Sequence, residues 1–339
     1  MSIADKSPQV VIVSPALADA NSGNWHTARR WQGFLSGALP ARVVKDWPDA
    51  RARGDRVMLA LHARRSAPSI LAWSRANPSR GLAVVLTGTD LYRDIRTDAA
   101  AQRSLHLAQA LVVLQERAPL ELPAAMQAKT RVVFQSTTAR RSVGKTTRHL
   151  RAVMVGHLRE EKSPHTLFEA ARRLARRPDI LIDHIGAALD PALGDAARST
   201  MAACANYRWL GAQSHETTRR HIQRAHLLVH TSHMEGGAHV IMEAVCSGTP
   251  VLASRIDGNL GMLGGDYDGY FDWGDAQGLA DRLLGCRADQ SGADGLLARL
   301  GHQCAKRIPL FAPGAERAAL RELVSDLIHP VRVETLGNS

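Results

Sequence analysis

A strand, a glycine turn, a helix and a second strand follow one another over residues 225–254, and no other stretch constrains the fold as strongly. Residues 225–231 form an apolar run of strand length, and residues 250–254 form another, with a helical pattern between them. Gly236 and Gly237 stand where the first strand turns into the helix. Glycine amides can approach a ligand closely, and the positive end of a helix dipole favours an anion. The segment therefore predicts an α/β unit whose turn suits a phosphate.

Two glutamates flank this turn. Glu235 lies just before the glycines, and Glu243 lies about two helical turns further along the chain. Val240, Ile241 and Val245 are spaced to pack inward, which leaves both carboxylates free to face one crevice. Carboxylates in such a place accept hydrogen bonds from hydroxyl groups. An ordinary helix with two surface carboxylates is the alternative interpretation of the same residues.

The pattern Glu-x7-Glu around a glycine turn, followed by Ser-Gly-Thr-Pro-Val at residues 247–251, resembles the signature of the family 4 glycosyltransferases of the GT-B fold. The resemblance implies an α/β chain of two doubly wound, Rossmann-like domains that face a cleft, with a C-terminal helix that crosses back to the first domain. It also implies that Glu235 contacts the donor sugar and that Glu243 binds the ribose of the nucleotide. The backbone between them would meet the sugar and the diphosphate, at Gly236, Gly237, Ala238, His239 and Val240.

A turn rich in cations occupies residues 156–164, after a strand that starts at residue 151. In the family the equivalent turn reads Gly-Arg-Leu-x-x-x-Lys, and its two cations neutralise the leaving diphosphate. Lys162 matches the lysine, whereas His157 stands where the arginine usually does, so we expect Arg159 to supply the second cation. Charge-assisted contacts of this kind replace a metal. The resemblance thus assigns Glu235, Arg159 and Lys162 to catalysis, and it adds Gly156, His157, Leu210 and Gly211 to the donor site.

The first part of the chain shows the same alternation of strands and helices. Residues 9–15 and 81–86 read as buried parallel strands. A glycine loop follows the first of these strands and leads into a helix from Thr27, and a polar turn follows the second strand. Open parallel sheets bind ligands beyond such strand ends. The resemblance implies that these two segments supply the acceptor site, formed by Gly23, Asn24, Trp25, His26, Thr87, Thr89 and Asp90. The family often carries His-Gly where this chain has Thr87-Gly88, so no histidine is assigned a role there.

A length of 339 residues favours two domains. We expect an acceptor-side Rossmann-like domain at residues 1–140, a nucleotide-sugar-binding domain at 141–310, and a helix at 311–330 that packs back on the first domain. The polar, basic stretch 135–149 is the expected linker, and its Gly144-Lys145-Thr146 is interpreted as flexible. This tripeptide is only half of a Walker loop, because that motif needs a glycine at position 139, which is Ala.

The composition narrows the class of protein. A formal charge of +11 favours anionic partners, but most of the excess lies in arginine pairs spread along the chain, which is typical of a solvated surface and not of a nucleic-acid site.

No apolar run is long enough to cross a membrane, and the N-terminus lacks the sections of a signal peptide, so a cytoplasmic protein is expected. The four cysteines form no Cys-x-x-Cys pair, which favours reduced thiols. Asp266-Tyr-Asp268 falls in a turn-rich region, so neither a metal nor a cofactor is expected.

A narrower resemblance rests on residues 23–31, 86–94 and 156–164 together, which are similar to the selenosugar synthases of selenoneine biosynthesis. It implies a metal-independent hexosyltransferase that moves a sugar from UDP-N-acetylglucosamine or UDP-glucose to the selenium of selenophosphate, giving a selenosugar, UDP and phosphate. The partners are then a UDP-sugar and selenophosphate, and not nucleic acid. Two alternatives remain: a family 4 transferase that acts on a lipid, a polysaccharide or another small acceptor, and a non-catalytic protein that binds nucleic acid.

Overall fold

The computed structural model describes residues 9–17 and 23–329, and within them the chain forms two compact units. The first unit contains the described residues up to Phe134 together with those from Gly314, and the second runs from Gln135 to Pro313. Each unit is built on its own six-stranded sheet in which all strand pairs are parallel.

The strands of the first sheet are short and almost entirely apolar. They are β1 (Gln9–Val13), β2 (Ala41–Val44), β3 (Asp55–Leu61), β4 (Leu82–Val85), β5 (Ala110–Val113) and β6 (Thr130–Val132), in the spatial order β2-β1-β3-β4-β5-β6. The helices between them are α1 (Gly23–Leu35), α2 (Ala67–Ala76), α3 (Ile95–Thr97), α4 (Ala99–Leu107) and α5 (Ala124–Gln127). Short 3-10 turns lie at Ala52–Gly54 and Ala118–Glu121, and a π-helical turn lies at Asp90–Asp94. Alternate residues of the strands feed two separate hydrophobic clusters, one on each face, because both faces are covered.

The second unit repeats this plan. Its strands are β7 (Leu150–Val155), β8 (Ile180–Ile185), β9 (Tyr207–Trp209), β10 (Leu227–His230), β11 (Val251–Ser254) and β12 (Tyr270–Phe271), in the order β12-β11-β10-β7-β8-β9. Its helices are α6 (Pro164–Arg173), α7 (Pro191–Ala203), α8 (His215–Arg224), α9 (His239–Val245), α10 (Asp257–Leu263), α11 (Ala276–Ala288) and α12 (Leu296–Ala305), with 3-10 turns at Glu160–Lys162 and Ile308–Phe311.

The strand order of each sheet predicts where a ligand would bind. In the second sheet, successive strands run outward from β7 to one side as far as β9, and then from β10 to the other side as far as β12. The first sheet changes direction in the same way between β1 and β3. A crevice opens at such a switch point, beyond the carboxyl ends of the strands. The expectation of two doubly wound, Rossmann-like domains is confirmed.

The last helix, α13 (Pro313–Ile328), packs in the first unit although the second unit precedes it in sequence. Leu320, Leu323, Val324 and Leu327 form its buried stripe and join the cluster that contains Trp31. This agrees with the expected return of the closing helix. The boundaries between units fall after Phe134 and before Gly314, where we had expected them at residues 140 and 311.

Two expectations about connecting segments are wrong. Helix α1 starts at Gly23 and not at Thr27. Within its first turn, the Thr27 hydroxyl donates to the Gly23 carbonyl oxygen at 3.0 Å. The expected linker, residues 135–149, belongs to the second unit: the Arg140 amide donates to the Cys246 carbonyl oxygen at 2.8 Å. Its Lys145 is anchored near Thr249 Oγ1 at 3.4 Å, and burial lowers the pKa of Lys145 to about 8. The stretch is therefore held by the second unit and is not a free linker.

A buried carboxylate attaches α13 to α1. Glu316, whose side chain is fully buried, accepts hydrogen bonds from Arg30 Nε at 2.8 Å and from Trp31 Nε1 at 2.7 Å. We expect Glu316→Ala to lower the free energy of unfolding by about 3 kcal/mol, because it leaves a buried indole N–H and a partly buried guanidinium without this acceptor. Urea unfolding followed by circular dichroism measures the change. Glu322→Ala, an exposed position of the same helix, is the matched control and should change stability by less than about 0.5 kcal/mol. Equal effects of the two substitutions would contradict the prediction.

None of the helices within residues 9–17 and 23–329 is long and apolar enough to cross a membrane. The four cysteines, Cys204, Cys246, Cys286 and Cys304, are all buried free thiols, in agreement with the expectation.

Candidate functional site

The cation-rich turn and the glutamate loop lie side by side in the second unit because they follow β7 and β10, the two strands that flank the switch point. Two hydrogen bonds join them directly. Thr231 Oγ1 donates to the Lys162 carbonyl oxygen at 2.7 Å, and the His233 amide donates to the Glu161 carbonyl oxygen at 3.1 Å. These bonds fix the position of Lys162 relative to Glu235, although 73 residues separate the two in sequence.

Glu235 forms an ion pair with Lys162 at the centre of this arrangement. His230 Nε2 lies 3.3 Å from the same carboxylate oxygen, and both glutamate and histidine side chains are almost entirely buried. Burial by itself opposes ionisation, but the charge of Lys162 and the contact with His230 outweigh it and hold the pKa of Glu235 well below its usual range. The group is therefore a permanent carboxylate at neutral pH, with oxygen lone pairs that can accept hydrogen bonds from sugar hydroxyls.

The loop that carries Glu235 is held from behind by α10. Ser254 Oγ donates to the Ser232 carbonyl oxygen at 2.5 Å, and Asn259 Nδ2 donates to the Ser254 carbonyl oxygen at 2.9 Å. Gly258 packs so closely that a Cβ there would lie 2.2 Å from the Glu235 carbonyl oxygen. Only glycine permits this approach, so the placement of Glu235 depends on a residue 23 positions later.

Glu243 lies on α9 with a buried side chain, and it accepts a hydrogen bond from His215 Nε2 at 2.6 Å. The bond to this carboxylate raises the pKa of His215, whose own side chain is 75% exposed. Arg219 is buried nearby and donates through its guanidinium to the Thr138 carbonyl oxygen at 2.8 Å. The sequence interpretation placed most of the arginine pairs on the solvated surface, but Arg219, the first residue of the pair Arg219-Arg220, is buried.

The contact between His215 and Glu243 predicts a pH dependence of stability. Since the folded pKa of His215 is raised, the contact contributes its full stability below the unfolded pKa of about 6.5 and loses it as the pH rises through the folded value. We therefore expect His215→Ala to lower the urea midpoint more at pH 5.5 than at pH 8.5. His221→Ala, on the same helix, is the control. An effect of His215→Ala that is the same at both pH values would contradict the assignment.

The remaining donor-site residues of the turn lie at the same edge of the sheet. The Gly156 carbonyl oxygen is 3.2 Å from Nε2 of the buried His184, and burial lowers the pKa of His184 to about 4. His157 Nδ1 accepts a hydrogen bond from the Ala187 amide at 3.0 Å. Burial, with Arg159 and Lys162 close by, lowers the pKa of His157. His157 is therefore neutral at pH 7, and the cations of the turn are Lys162 and the half-exposed Arg159.

Leu210 and Gly211 follow the edge strand β9, at the same end of the sheet. The Leu210 amide donates to the His184 carbonyl oxygen at 2.8 Å, and the Gly211 carbonyl oxygen accepts from the Gly186 amide at 2.9 Å. Gly211 has a φ of +66°, which favours glycine. Gly156, Lys162, Leu210, Gly211 and Glu235 thus follow strands β7, β9 and β10 at the carboxyl edge of one sheet.

The glycine turn itself differs from the expectation in one respect. Helix α9 begins at His239 and has seven residues, so Gly236, Gly237 and Ala238 precede it as loop. Val240 lies in its first turn. The dipole of so short a helix is small, which weakens the expectation that the helix end itself favours a phosphate.

The acceptor-site residues predicted for the first unit fall in two places. Gly23, Asn24, Trp25 and His26 form the first turn of α1, and Thr87, Thr89 and Asp90 follow β4. Asp90 is fully buried, and its carboxylate accepts hydrogen bonds from the amides of Ala63, Thr87 and Gly88, each at 2.9 Å. It therefore shapes the turn from inside, and a ligand would meet the threonines instead.

Sequence reasoning missed two residues at these edges. His62 directly follows β3, and its Nε2 lies 3.1 Å from Thr89 Oγ1; its only sequence signal is its position after a buried strand. Trp273 is 56% exposed, donates through Nε1 to Ser163 Oγ at 2.9 Å, and packs its ring against His233. It borders a cavity of about 620 Å³ beside the Lys162 turn. Nothing in the sequence around Trp273 marks it.

Among the described residues, no cluster of histidine, cysteine, aspartate and glutamate side chains has the geometry of a metal site. Asp268 of the Asp266-Tyr-Asp268 segment lies 3.5 Å from Arg299 Nε.

A family match covers most of the second unit. Residues 135–291 match the family described as glycosyl transferases group 1. The match includes both glutamates and the whole cation-rich turn. No curated protein sequence matches the chain significantly.

Solved structures resemble the whole chain at low sequence identity. Sucrose-phosphate synthase from Thermosynechococcus elongatus has a TM-score of 0.73 and 15% identity over 95% of this chain and 99% of its own. HepE from Anabaena has a TM-score of 0.71 and 15% identity over 94% of this chain and all of its own. TarM of S. aureus has a TM-score of 0.63 and 15% identity over 79% of this chain, which spans about half (55%) of the TarM chain. Together with the two parallel sheets, these likenesses confirm the GT-B fold.

Proposed function

We propose that the protein is a glycosyltransferase that moves a sugar from a UDP-sugar to the selenium of selenophosphate. The proposal has a donor half, the UDP-sugar, and an acceptor half, the selenium of selenophosphate. The donor half rests on one observation: the buried Glu235 carboxylate is paired with Lys162 at the switch point of the domain that matches the group 1 glycosyl transferases. HepE was solved with UDP and with UDP-glucose, and TarM with UDP, which favours the same class of donor here. The selenium acceptor is supported by the sequence similarity of three segments to selenosugar synthases.

The donor is proposed to lie along the carboxyl edge of the second sheet. Glu235 would accept hydrogen bonds from hydroxyls of the sugar, and Glu243 from those of the ribose. Lys162 and Arg159 would stabilise the diphosphate as negative charge develops on it, together with the amides of Gly236 and Gly237. Because two cations already serve this purpose, we propose that no metal or other cofactor is needed.

The proposed reaction has two steps. The selenium of selenophosphate attacks the anomeric carbon, the C–Se bond forms, and the bond from that carbon to the diphosphate oxygen of UDP breaks. The product is a glycosyl selenophosphate, whose Se–P bond is then cleaved by water to give the selenosugar and inorganic phosphate. Selenium in selenophosphate is already anionic and strongly nucleophilic, so the first step needs little help from a general base.

The test is an incubation of the purified protein with freshly made selenophosphate and either UDP-N-acetylglucosamine or UDP-glucose. We expect mass spectrometry to show the selenium isotope pattern on a hexose, together with free UDP, only when both substrates are present. Glu235→Ala should abolish both products. If a UDP-sugar binds but no selenium product forms, the donor half holds and the acceptor is wrong. If no UDP-sugar binds, the donor half is wrong too.

A further inference from the structure

A histidine occupies the switch point of the first sheet in an unusual backbone conformation. His62 follows β3, is only 2% exposed, and has a φ of +74°, which is uncommon for a residue with a side chain. Such conformations cost free energy and persist where the surrounding structure holds them, which is often at functional sites. The neighbouring turn Asp90–Asp94 is π-helical, a second irregularity that is frequent at such sites.

The hydrogen bonds of His62 determine its tautomer. Its Nδ1 accepts from the Arg65 amide at 3.3 Å, so in the neutral ring the proton is on Nε2. Burial lowers the pKa of His62 despite the nearby Asp90 and Asp94, which keeps the ring neutral at pH 7. Nε2 then donates to Thr89 Oγ1 at 3.1 Å.

The consequence for Thr89 is a fixed direction for its own proton. Because its oxygen accepts from His62, the hydroxyl is left to donate, and none of the described residues accepts from it. Thr89 is partly exposed, so its proton is available to a ligand. A hydroxyl arranged in this way favours a ligand oxygen that only accepts hydrogen bonds, as an oxyanion does.

The charges around Thr89 also favour an anion. Asp94 lies 2.9 Å from Arg64 Nε and 3.2 Å from Arg93 Nε, so its charge is compensated twice. The charge of Asp90 is satisfied by three backbone amides. Arg65, whose backbone amide donates to His62, has an exposed side chain that forms no ion pair with the described residues. The local balance is therefore positive.

We propose that Thr89, oriented by His62, is an oxyanion subsite that binds the phosphoryl group of the acceptor in the first unit. The inference rests on the proposed function, which it deepens by naming what recognises the acceptor. Thr89 would contact the phosphoryl oxygen, and His62 is a positioning residue that acts through Thr89. A neutral hydroxyl acceptor would gain less from this subsite, since hydrogen bonds to charged groups are stronger.

Thr89→Val tests the subsite, because it removes the hydroxyl and keeps the shape. We expect kcat/KM for selenophosphate to fall about ten- to a hundredfold, with an unchanged Kd for the UDP-sugar. Thiophosphate, a stable analogue, should lose calorimetric affinity by a similar factor. The matched control is Thr130→Val, another partly buried threonine of the same unit, whose hydroxyl donates to the Met126 carbonyl oxygen. It should change neither value.

His62→Asn separates positioning from direct contact. Asparagine tolerates a positive φ and keeps an acceptor for the Arg65 amide, but its side chain is too short to reach Thr89. We expect the substitution to weaken thiophosphate binding, and the double variant with Thr89→Val to be no weaker than Thr89→Val alone. Effects that multiply would show that His62 does not act through Thr89, which overturns that part of the proposal.

The test of the Thr89 subsite does not depend on the binding of the UDP-sugar donor. Equal thiophosphate binding by wild type and Thr89→Val, or none by the wild type, would overturn the subsite even if UDP-sugar binds normally. Failure of the wild type to bind any UDP-sugar would instead contradict the proposed function, and thiophosphate affinity would still decide the role of Thr89.

Discussion

Lys162→Ala is expected to lower the rate of UDP release by about two to three orders of magnitude, the cost of removing one preorganised charge from a developing anion. The ammonium group of Lys162 forms an ion pair with the buried Glu235 carboxylate. Its loss therefore removes the proposed diphosphate contact, and of the partners of Glu235 among the described residues it leaves His230. We expect kcat to fall more than donor affinity, because charge on the diphosphate grows as the bond breaks.

Steady-state measurement of UDP release with saturating donor checks this. Lys306→Ala, an exposed lysine of the same unit, is the matched control and should keep the wild-type rate. Arg159→Ala should have a smaller effect than Lys162→Ala, since Arg159 is about half exposed and solvent screens its charge. A Lys162→Ala enzyme within threefold of the wild-type rate would show that the assignment of this lysine is wrong.

Gly258→Ala should impair both the fold and the site through a single methyl group. The new Cβ would lie 2.2 Å from the Glu235 carbonyl oxygen and 3.0 Å from its Cβ, so the glutamate loop or α10 must move. We expect a loss of about 1–3 kcal/mol in the free energy of unfolding, as for other overpacked positions. Displacement of a catalytic group by about 1 Å can cost about a hundredfold in rate, so with the role proposed for Glu235 we expect transfer to fall by about that factor.

A second glycine-to-alanine substitution isolates the steric effect. Gly301 also lies inside a helix of the second unit, but a Cβ there would meet no atom within 4 Å. Gly301→Ala should therefore leave the rate unchanged and raise stability by up to about 1 kcal/mol, the intrinsic preference of a helix for alanine. Urea unfolding and the UDP assay applied to both variants give the comparison. Similar results for the two glycines would mean that Gly258 does not hold Glu235 in place.

The sequence was most informative where the chemistry lies within one continuous segment. The strand, turn and helix around Glu235 could be predicted because hydrophobic runs and glycines mark each boundary. Residues 156–162 were assigned to the same site through the resemblance of their turn to that of the family. Contacts between distant residues gave no such signal. The pairing of His62 with Thr89 joins residues 27 positions apart, and it depends on two strands becoming neighbours. The burial of Arg219 depends on Thr138, which sequence reasoning had assigned to a linker.

Errors at element boundaries have a local physical cause. The first turn of α1 was taken for a loop because it begins with Gly23 and Asn24, two residues of low helix propensity. A polar stretch such as residues 135–149 has the sequence of a linker whether or not backbone hydrogen bonds hold it to the rest of the unit. Hydrogen bonds between main-chain groups do not depend on the side chains, so the sequence pattern does not reveal them.

The discontinuity of the first unit has a consequence for the order in which the chain folds during synthesis. Domains made of continuous sequence can fold as they leave the ribosome. Here Trp31 is made 285 residues before its acceptor Glu316. The second unit, complete at Pro313, can finish before the first, whose apolar cluster stays open along the α13 side until that helix emerges. The unit that starts earlier is thus completed later, and loss of α13 would expose a core built from residues far away in the sequence.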